Sequence, residues 1–258
     1  MRKPWGIFIF FLVVISGGLL WLVALNGWRF ESLFELAGKK RDNAGFHAKD
    51  SVDFSGTYIV SSGDSSRDTL TIRRVGKGYN LCWRDASGQT YYGNGLEKQG
   101  LLAAVYEMAL PKGRRAGVAV YTKKGNSLSG LKVGSGDDKF TLEGTDGAAG
   151  LTPSATRLGG TWKLEGTNPN GSAYKGVLKL DHTGPTYAVE WQIEDPPLFG
   201  TGFSVDDILI AGYGTSMGLG LVVYTISEGE LTGTWLYSDF SRLAGTSDIR
   251  TGKEIATK

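Results

Sequence analysis

Three adjacent acidic pairs, Asp137-Asp138, Glu194-Asp195 and Asp206-Asp207, are the residues of this chain best suited by type to acid–base chemistry. Such chemistry needs two groups converging on one reacting centre. Neighbouring side chains diverge on a strand and are solvated in a turn, so these pairs are not expected to catalyse anything. A hydrolase of cell-envelope glycan would need two facing carboxylates about 5–10 Å apart, an arrangement that adjacent residues do not supply. His47 and His182 stand far apart, and no Cys/His group has metal-ligand spacing. The single cysteine, Cys82, excludes an intrachain disulfide. Set between Leu81 and Trp83, it reads as a small packed residue and not a nucleophile. The expectation is no catalytic residue, no metal and no cofactor.

Binding chemistry is a different matter. Tyr79, Trp83, Tyr187 and Trp191 form two matching Tyr-x-Leu/Val-x-Trp alternations. On a pleated strand such rows project to one side, to fill a core or to line a ligand cavity; core filling is the default. Glu190 falls on the opposite face from Trp191, where an exposed strand residue is expected. Lys112, Arg114 and Arg115 make a basic cluster at a hairpin tip, a candidate contact for a protein partner or an acidic headgroup.

The elements that carry these residues are set by an internal repeat. Gly56-Thr57-Tyr58, Leu70-Thr71-Ile72, Tyr79–Trp83, Gly93-Asn94-Gly95, Gly117–Thr122 and Leu128-Ser129-Gly130 recur in order as Gly160-Thr161-Trp162, Leu178-Lys179-Leu180, Tyr187–Trp191, Gly200-Thr201-Gly202, Gly220–Thr225 and Leu231-Thr232-Gly233. Self-similarity of this kind decides the architecture before any local pattern does. Short alternating runs separated by Gly- and Asn-rich turns indicate seven or eight strands per copy, an antiparallel sandwich or barrel. Leu101–Leu110 and Ile208–Ala211 lack clean alternation but are bounded by turn residues and are read as strands. The two Gly-x-Gly sites lack the context of a phosphate loop and read as bulges or tight bends.

Of the 258 residues, 28 are basic and 26 acidic, a balance that carries no nucleic-acid signal. From Pro4 to Trp28 there is no charged side chain, enough for a helix across a hydrocarbon core of roughly 30 Å. A cleaved signal peptide is the alternative, but Val23-Ala24-Leu25-Asn26-Gly27 is a poor cleavage site. The expected organisation is an anchor at 1–28, a juxtamembrane amphipathic helix and tether at 29–53, β repeats at 54–146 and 158–246 joined by a linker at 147–157, and a tail at 247–258. The expected location is a bacterial inner membrane, single-pass, with the body in the periplasm or outside the cell.

Gly-x-Trp at the first strand resembles the opening of calycin barrels such as lipocalins and avidins, over three residues per copy. More broadly, Tyr174-Lys175-Gly176-Val177-Leu178, Tyr187–Trp191, Gly200–Gly202, Val222–Tyr224 and Leu231–Trp235 resemble a poorly characterised family of bacterial exported β-repeat proteins. The first copy departs from that pattern, with Lys132 where Trp235 aligns. The repeat predicts an all-β body of two tandem homologous antiparallel barrels or sandwiches, and the resemblance supplies no catalytic residues to carry over. The leading expectation for function is a non-enzymatic, membrane-anchored extracytoplasmic module that binds or scaffolds a protein partner, with an accessory subunit of a membrane complex as one form of that role. The alternatives are a calycin-like carrier of a small apolar ligand and, third, the glycan hydrolase. A cavity lined by Tyr79, Trp83 or their second-copy counterparts Tyr187 and Trp191 would favour the carrier; side chains filling both interiors would favour the scaffold.

Overall fold

Glycine sets the curvature of this protein, because the strands bend where no Cβ intervenes between neighbours. The computed structural model describes residues 14–15, 18–19, 51–62, 67–110, 113–137, 139–145, 151–154, 158–240 and 249–258, with backbone alone at 14–15, 18–19, 108–110 and 113–115. Within the first unit, 1–47, the described residues are Val14–Ile15 paired antiparallel with Gly18–Leu19. The rest of the expected anchor and the juxtamembrane helix lie outside the described residues. Among those described, no helix is long and apolar enough to cross a membrane.

The second unit, 48–258, contains two eight-stranded antiparallel sheets in tandem, each rolled into a barrel. The first comprises β1 (Gly56–Val60), β2 (Asp68–Val75), β3 (Gly78–Arg84), β4 (Thr90–Lys98), β5 (Leu101–Leu110), β6 (Gly113–Lys124), β7 (Ser127–Gly134) and β8 (Thr141–Gly144). Every strand pairs with its sequence neighbours, and the ends meet through one bridge, Ser61 with Gly144. The second comprises β9 (Gly160–Thr167), β10 (Ala173–Thr183), β11 (Thr186–Gln192), β12 (Leu198–Val205), β13 (Ile208–Gly214), β14 (Gly218–Ser227), β15 (Glu230–Asp239) and β16 (Thr251–Thr257). Here β16 pairs with both β15 and β9, so the barrel is closed. The closing strand falls in the segment expected as a tail, so the second domain runs on to Thr257.

The Gly-x-Gly sites are tight bends without a bulge, since register runs unbroken through Gly93–Gly95 and Gly200–Gly202. A Cβ at any of these four glycines would overlap a carbonyl oxygen of the neighbouring strand. Other repeated glycines lie beneath rings. Tyr106 covers Gly117, Tyr121 covers Gly130, Tyr213 covers Gly220 and Tyr224 covers Gly233, each pair directly cross-strand. The repeat thus keeps the ring and the glycine that admits it.

Three cores result. One fills the first barrel, around Trp83, Tyr121, Leu70 and Leu128, and another fills the second, around Trp191, Tyr224, Leu178 and Leu231. The third lies between the barrels, where Ala103, Val105, Val118 and Val120 meet Ile208, Ile210, Leu221 and Val223. This explains why β5, β6, β13 and β14 lack alternation. Leu102, Ala104 and Tyr106 point into their barrel while Leu101, Ala103 and Val105 face the other, so both faces are apolar. Gly212 of β13 lets the barrels approach closely, since a Cβ there would strike Val118.

Candidate functional site

Each barrel buries one glutamate at the same place. Glu143 on β8 sits opposite Gly130 on β7, and Glu254 on β16 sits opposite Gly233 on β15, the matching glycine of the repeat. Glu143 is fully buried and Glu254 is 3% exposed. A buried carboxylate requires hydrogen-bond donors or a counter-charge, and the two barrels supply them differently.

In the first barrel Glu143 accepts from Trp83 Nε1 at 3.0 Å, from the Tyr121 hydroxyl at 2.6 Å and from Lys132 Nζ at 2.8 Å. Lys132 donates also to the Tyr91 hydroxyl, 2.8 Å away. Its ammonium lies 5.4, 5.0 and 5.1 Å from the ring centroids of Trp83, Tyr91 and Tyr106. Trp83 and Tyr91 stack at 5.0 Å. Burial, with the Glu143 charge adding, pushes the Tyr91 hydroxyl well above the usual phenol range, and burial raises Tyr106 to about 12. Asp68 is raised as well, by burial first and then by Glu143. These rings fill the interior, and the lysine is an internal cation within them.

In the second barrel Glu254 accepts from the hydroxyls of Tyr174, at 2.6 Å, and Tyr224. Trp191 Nε1 donates to that Tyr224 hydroxyl at 3.2 Å. Trp83, Tyr106, Tyr121 and Glu143 correspond in register to Trp191, Tyr213, Tyr224 and Glu254. The Tyr91 place is taken by Leu198 and the Lys132 place by Trp235, whose indole lies over Gly252. Without the lysine, burial holds the Glu254 carboxyl above the ordinary glutamate range, although both tyrosine hydroxyls and Trp191 act to lower it. Burial likewise raises Tyr174, Tyr213 and Tyr224, with Glu254 next in effect.

A cavity of about 790 Å³ opens at one end of this barrel, and Glu254 is among its lining residues. Trp191, Tyr213, Tyr174 and Trp235 wall it, with Leu198, Pro196 and Pro197 nearer the mouth. Phe199 and Met217 stand at the rim, 65% and 70% exposed. Glu194 also lines it, and the described lining residues include no lysine, arginine or histidine.

Of the four aromatics expected to be core or ligand residues, Trp83 (0% exposed), Tyr79 and Tyr187 (2% each) are core, while Trp191 (1%) is both core and cavity wall. Tyr79 donates its hydroxyl to the Val52 carbonyl, and the Tyr187 hydroxyl accepts the Leu158 N–H, so both pin the segment entering their barrel. Lys112 lies outside the described residues, as do the side chains of Arg114 and Arg115. Glu190 is on the outer face as expected, hydrogen-bonded to Gln192 and paired with Lys179 at 3.3 Å. Cys82 is half-buried, and burial raises its thiol. Asp206 and Asp207 form the turn between β12 and β13. Among the described residues no group of His, Cys, Asp and Glu could hold a metal ion. Both buried glutamates escaped the sequence reading. The signal was the alternation Gly252, Glu254, Ala256, which places the acid on the inner face and Ile255 outside.

Comparison with protein-family models, curated proteins and solved structures gives no match.

Proposed function

We propose that the second barrel binds a small organic molecule in its open cavity, the carrier reading of this chain and not the scaffold one. The observation that carries this is the difference between two copies of one fold. In the first, Lys132 and Tyr91 fill the space beside Trp83. In the second, the space beside Trp191 is a cavity of about 790 Å³, within the range of small-molecule sites. Mostly apolar and aromatic walls around a few converging polar groups are the usual composition of such sites. The first barrel is then a filled structural partner that braces the second through the shared core. An N-terminal anchor over residues 4–28 would hold the binding barrel at the outer face of a bacterial inner membrane; resistance of the full-length chain to alkaline carbonate extraction tests that tether.

The binding test titrates the full-length chain in mild detergent with water-soluble fragments of cationic, neutral and anionic classes. The readout is the indole N–H resonances, assigned by Trp→Phe variants. At least one class is expected to shift Trp191 and Trp235 while leaving Trp83 in place, and Leu198→Trp at the mouth should abolish the shift. If no fragment moves Trp191 or Trp235, the reading falls.

A further inference from the structure

We infer that the cavity of the second barrel takes an organic ammonium cation, held between aromatic faces and the Glu254 carboxylate. The inference rests on the ligand-binding reading above and adds the charge and chemical class of the ligand.

The first barrel provides the template. Lys132 Nζ sits within about 5.5 Å of three ring centroids and at 2.8 Å from Glu143. The ammonium is thus set among aromatic rings and closed by a counter-ion, the Tyr91 contact being made through its hydroxyl; rings around a cation are the arrangement that recognises alkylated ammonium groups. The four groups around that nitrogen, Trp83, Tyr91, Tyr106 and Glu143, have register counterparts in Trp191, Leu198, Tyr213 and Glu254, and all four counterparts line the cavity. Of the two charged members of the set the glutamate is kept and the lysine is not, its counterpart being Trp235. The duplication therefore keeps two cage faces and the counter-ion and dispenses with the tethered cation. Leu198 gives up one ring and one hydroxyl acceptor, while Trp235 and Tyr174 bring aromatic surface on other sides of the same space.

Charge points the same way. A buried carboxylate in the lining of an apolar cavity repels anions and is itself destabilised unless paired. Tyr174 and Tyr224 donate one hydrogen bond each to Glu254, which eases the burial without neutralising the charge. Glu194 at the mouth adds a second negative group, and no described lining residue is basic. An uncharged apolar ligand would gain from the rings but nothing from Glu254. An ammonium head gains from both.

The experiment measures the affinity of the full-length chain for choline and n-hexylammonium against their uncharged counterparts, 3,3-dimethylbutan-1-ol and 1-hexanol, by calorimetry and by the Trp191 and Trp235 indole shifts. At least one cation should bind ten-fold or more tightly than its alcohol, and Glu254→Gln should remove that preference. Trp235→Lys plants the tethered cation of the first barrel in the second and should abolish binding of the added ammonium, independently of how Glu254→Gln folds. Equal affinity for alcohol and cation, or cation binding untouched by Trp235→Lys, overturns the inference and leaves the cavity as a site for another class. If neither cation nor alcohol nor any other fragment reaches Trp191 and Trp235, the ligand-binding reading falls with it.

Discussion

Lys132 and Trp235 hold the same position in two copies of one barrel, each two residues beyond the glycine of the repeated Leu-x-Gly and each a diagonal neighbour of a buried glutamate on the adjacent strand. The lysine completes its barrel by supplying both a charge for Glu143 and volume among three rings. The tryptophan supplies volume on one wall, over Gly252, and leaves Glu254 to tyrosine hydroxyls. The exchange of Lys132 for Trp235, together with that of Tyr91 for Leu198, thus separates a filled space beside Trp83 from a cavity beside Trp191.

Removing the internal cation should expose how much the first barrel depends on it. Lys132→Ala leaves Glu143 buried with its hydrogen bonds but no counter-charge, a change that costs about 3–5 kcal/mol when one partner of a buried pair is lost. The expected result is a large fall in the denaturation midpoint, partly restored by millimolar ethylammonium, which can re-enter the cage. Ethanol at the same concentration should restore nothing. A variant as stable as the parent would show that the ion pair is not what holds this interior together.

Trp83 and Trp191 are equivalent and equally buried, yet their truncation should differ. Trp83→Ala removes a donor to Glu143 and a ring stacked on Tyr91, and should cost about 3–5 kcal/mol, as for other buried large aromatics. Trp191→Ala removes one wall of a cavity that already exists, so fewer packing contacts are lost and the cost should lie lower. Chemical denaturation of the two variants side by side checks the order.

Much of this architecture was legible in the chain. The repeat gave two copies, turn glycines gave the strand count, and the Tyr-x-Leu/Val-x-Trp rows gave the inner faces. Three things were not. Ile208-Leu209-Ile210-Ala211 shows no alternation because one face fills its barrel and the other packs on the first copy, and periodicity reports only one-sided burial. Thr251–Thr257 looked like a tail because the connection after β15 is longer than its counterpart in the first copy, so no landmark fell in step. Glu143 and Glu254 drew no notice in the chain because what makes each of them a site lies elsewhere in sequence, at Trp83 and Tyr121 or at Tyr174 and Tyr224. Only the departure of Lys132 from the second copy's Trp235 was visible beforehand, and its meaning needed the cage around it.

The ring-over-glycine pairs make a sharp test of the repeat. A Cβ at Gly130 would enter the Tyr121 ring, and one at Gly233 the Tyr224 ring, and each of those tyrosines donates to its barrel's glutamate. Gly130→Ala and Gly233→Ala should each destabilise by about 1–3 kcal/mol, the usual range for overpacking. The near-ultraviolet circular dichroism should change in both, because the displaced ring is a buried tyrosine. Ala at Gly125, which has open space around it but a left-handed backbone (φ 59°), should show a stability loss without the spectral change.

The core between the barrels should make them melt as one. Leu221 is fully buried there and touches the partner barrel's apolar face. Leu221→Ala should cost about 2–5 kcal/mol, and calorimetry of the parent should show a single transition. Two separated transitions in the parent would mean that this shared face contributes little to either barrel.

Glu254 should make stability fall with rising pH, opposite to the usual behaviour of a carboxylate in a folded protein. Its carboxyl is held above the ordinary value of 4.5 by burial, so the folded chain keeps a proton that the unfolded chain has already released. Stability is therefore full below pH 4.5 and declines as pH rises from there through the raised folded value, since in that window the unfolded state binds fewer protons. The groups facing this carboxylate are Tyr174, Tyr224 and Trp191, with Tyr213 close by and Glu194 at the mouth; the tyrosines are all raised and stay neutral throughout that window. Glu254→Gln keeps the hydrogen-bonding shape without the charge. It should flatten this decline and raise the melting temperature at neutral pH relative to the parent, as read by thermal melts from pH 4 to pH 8. An ammonium ligand acts in the reverse sense, binding more tightly as Glu254 ionises, so its affinity should rise over the same interval in which the free protein loses stability. Parent and variant melts that run parallel across that interval would show that Glu254 ionises without penalty in the folded chain.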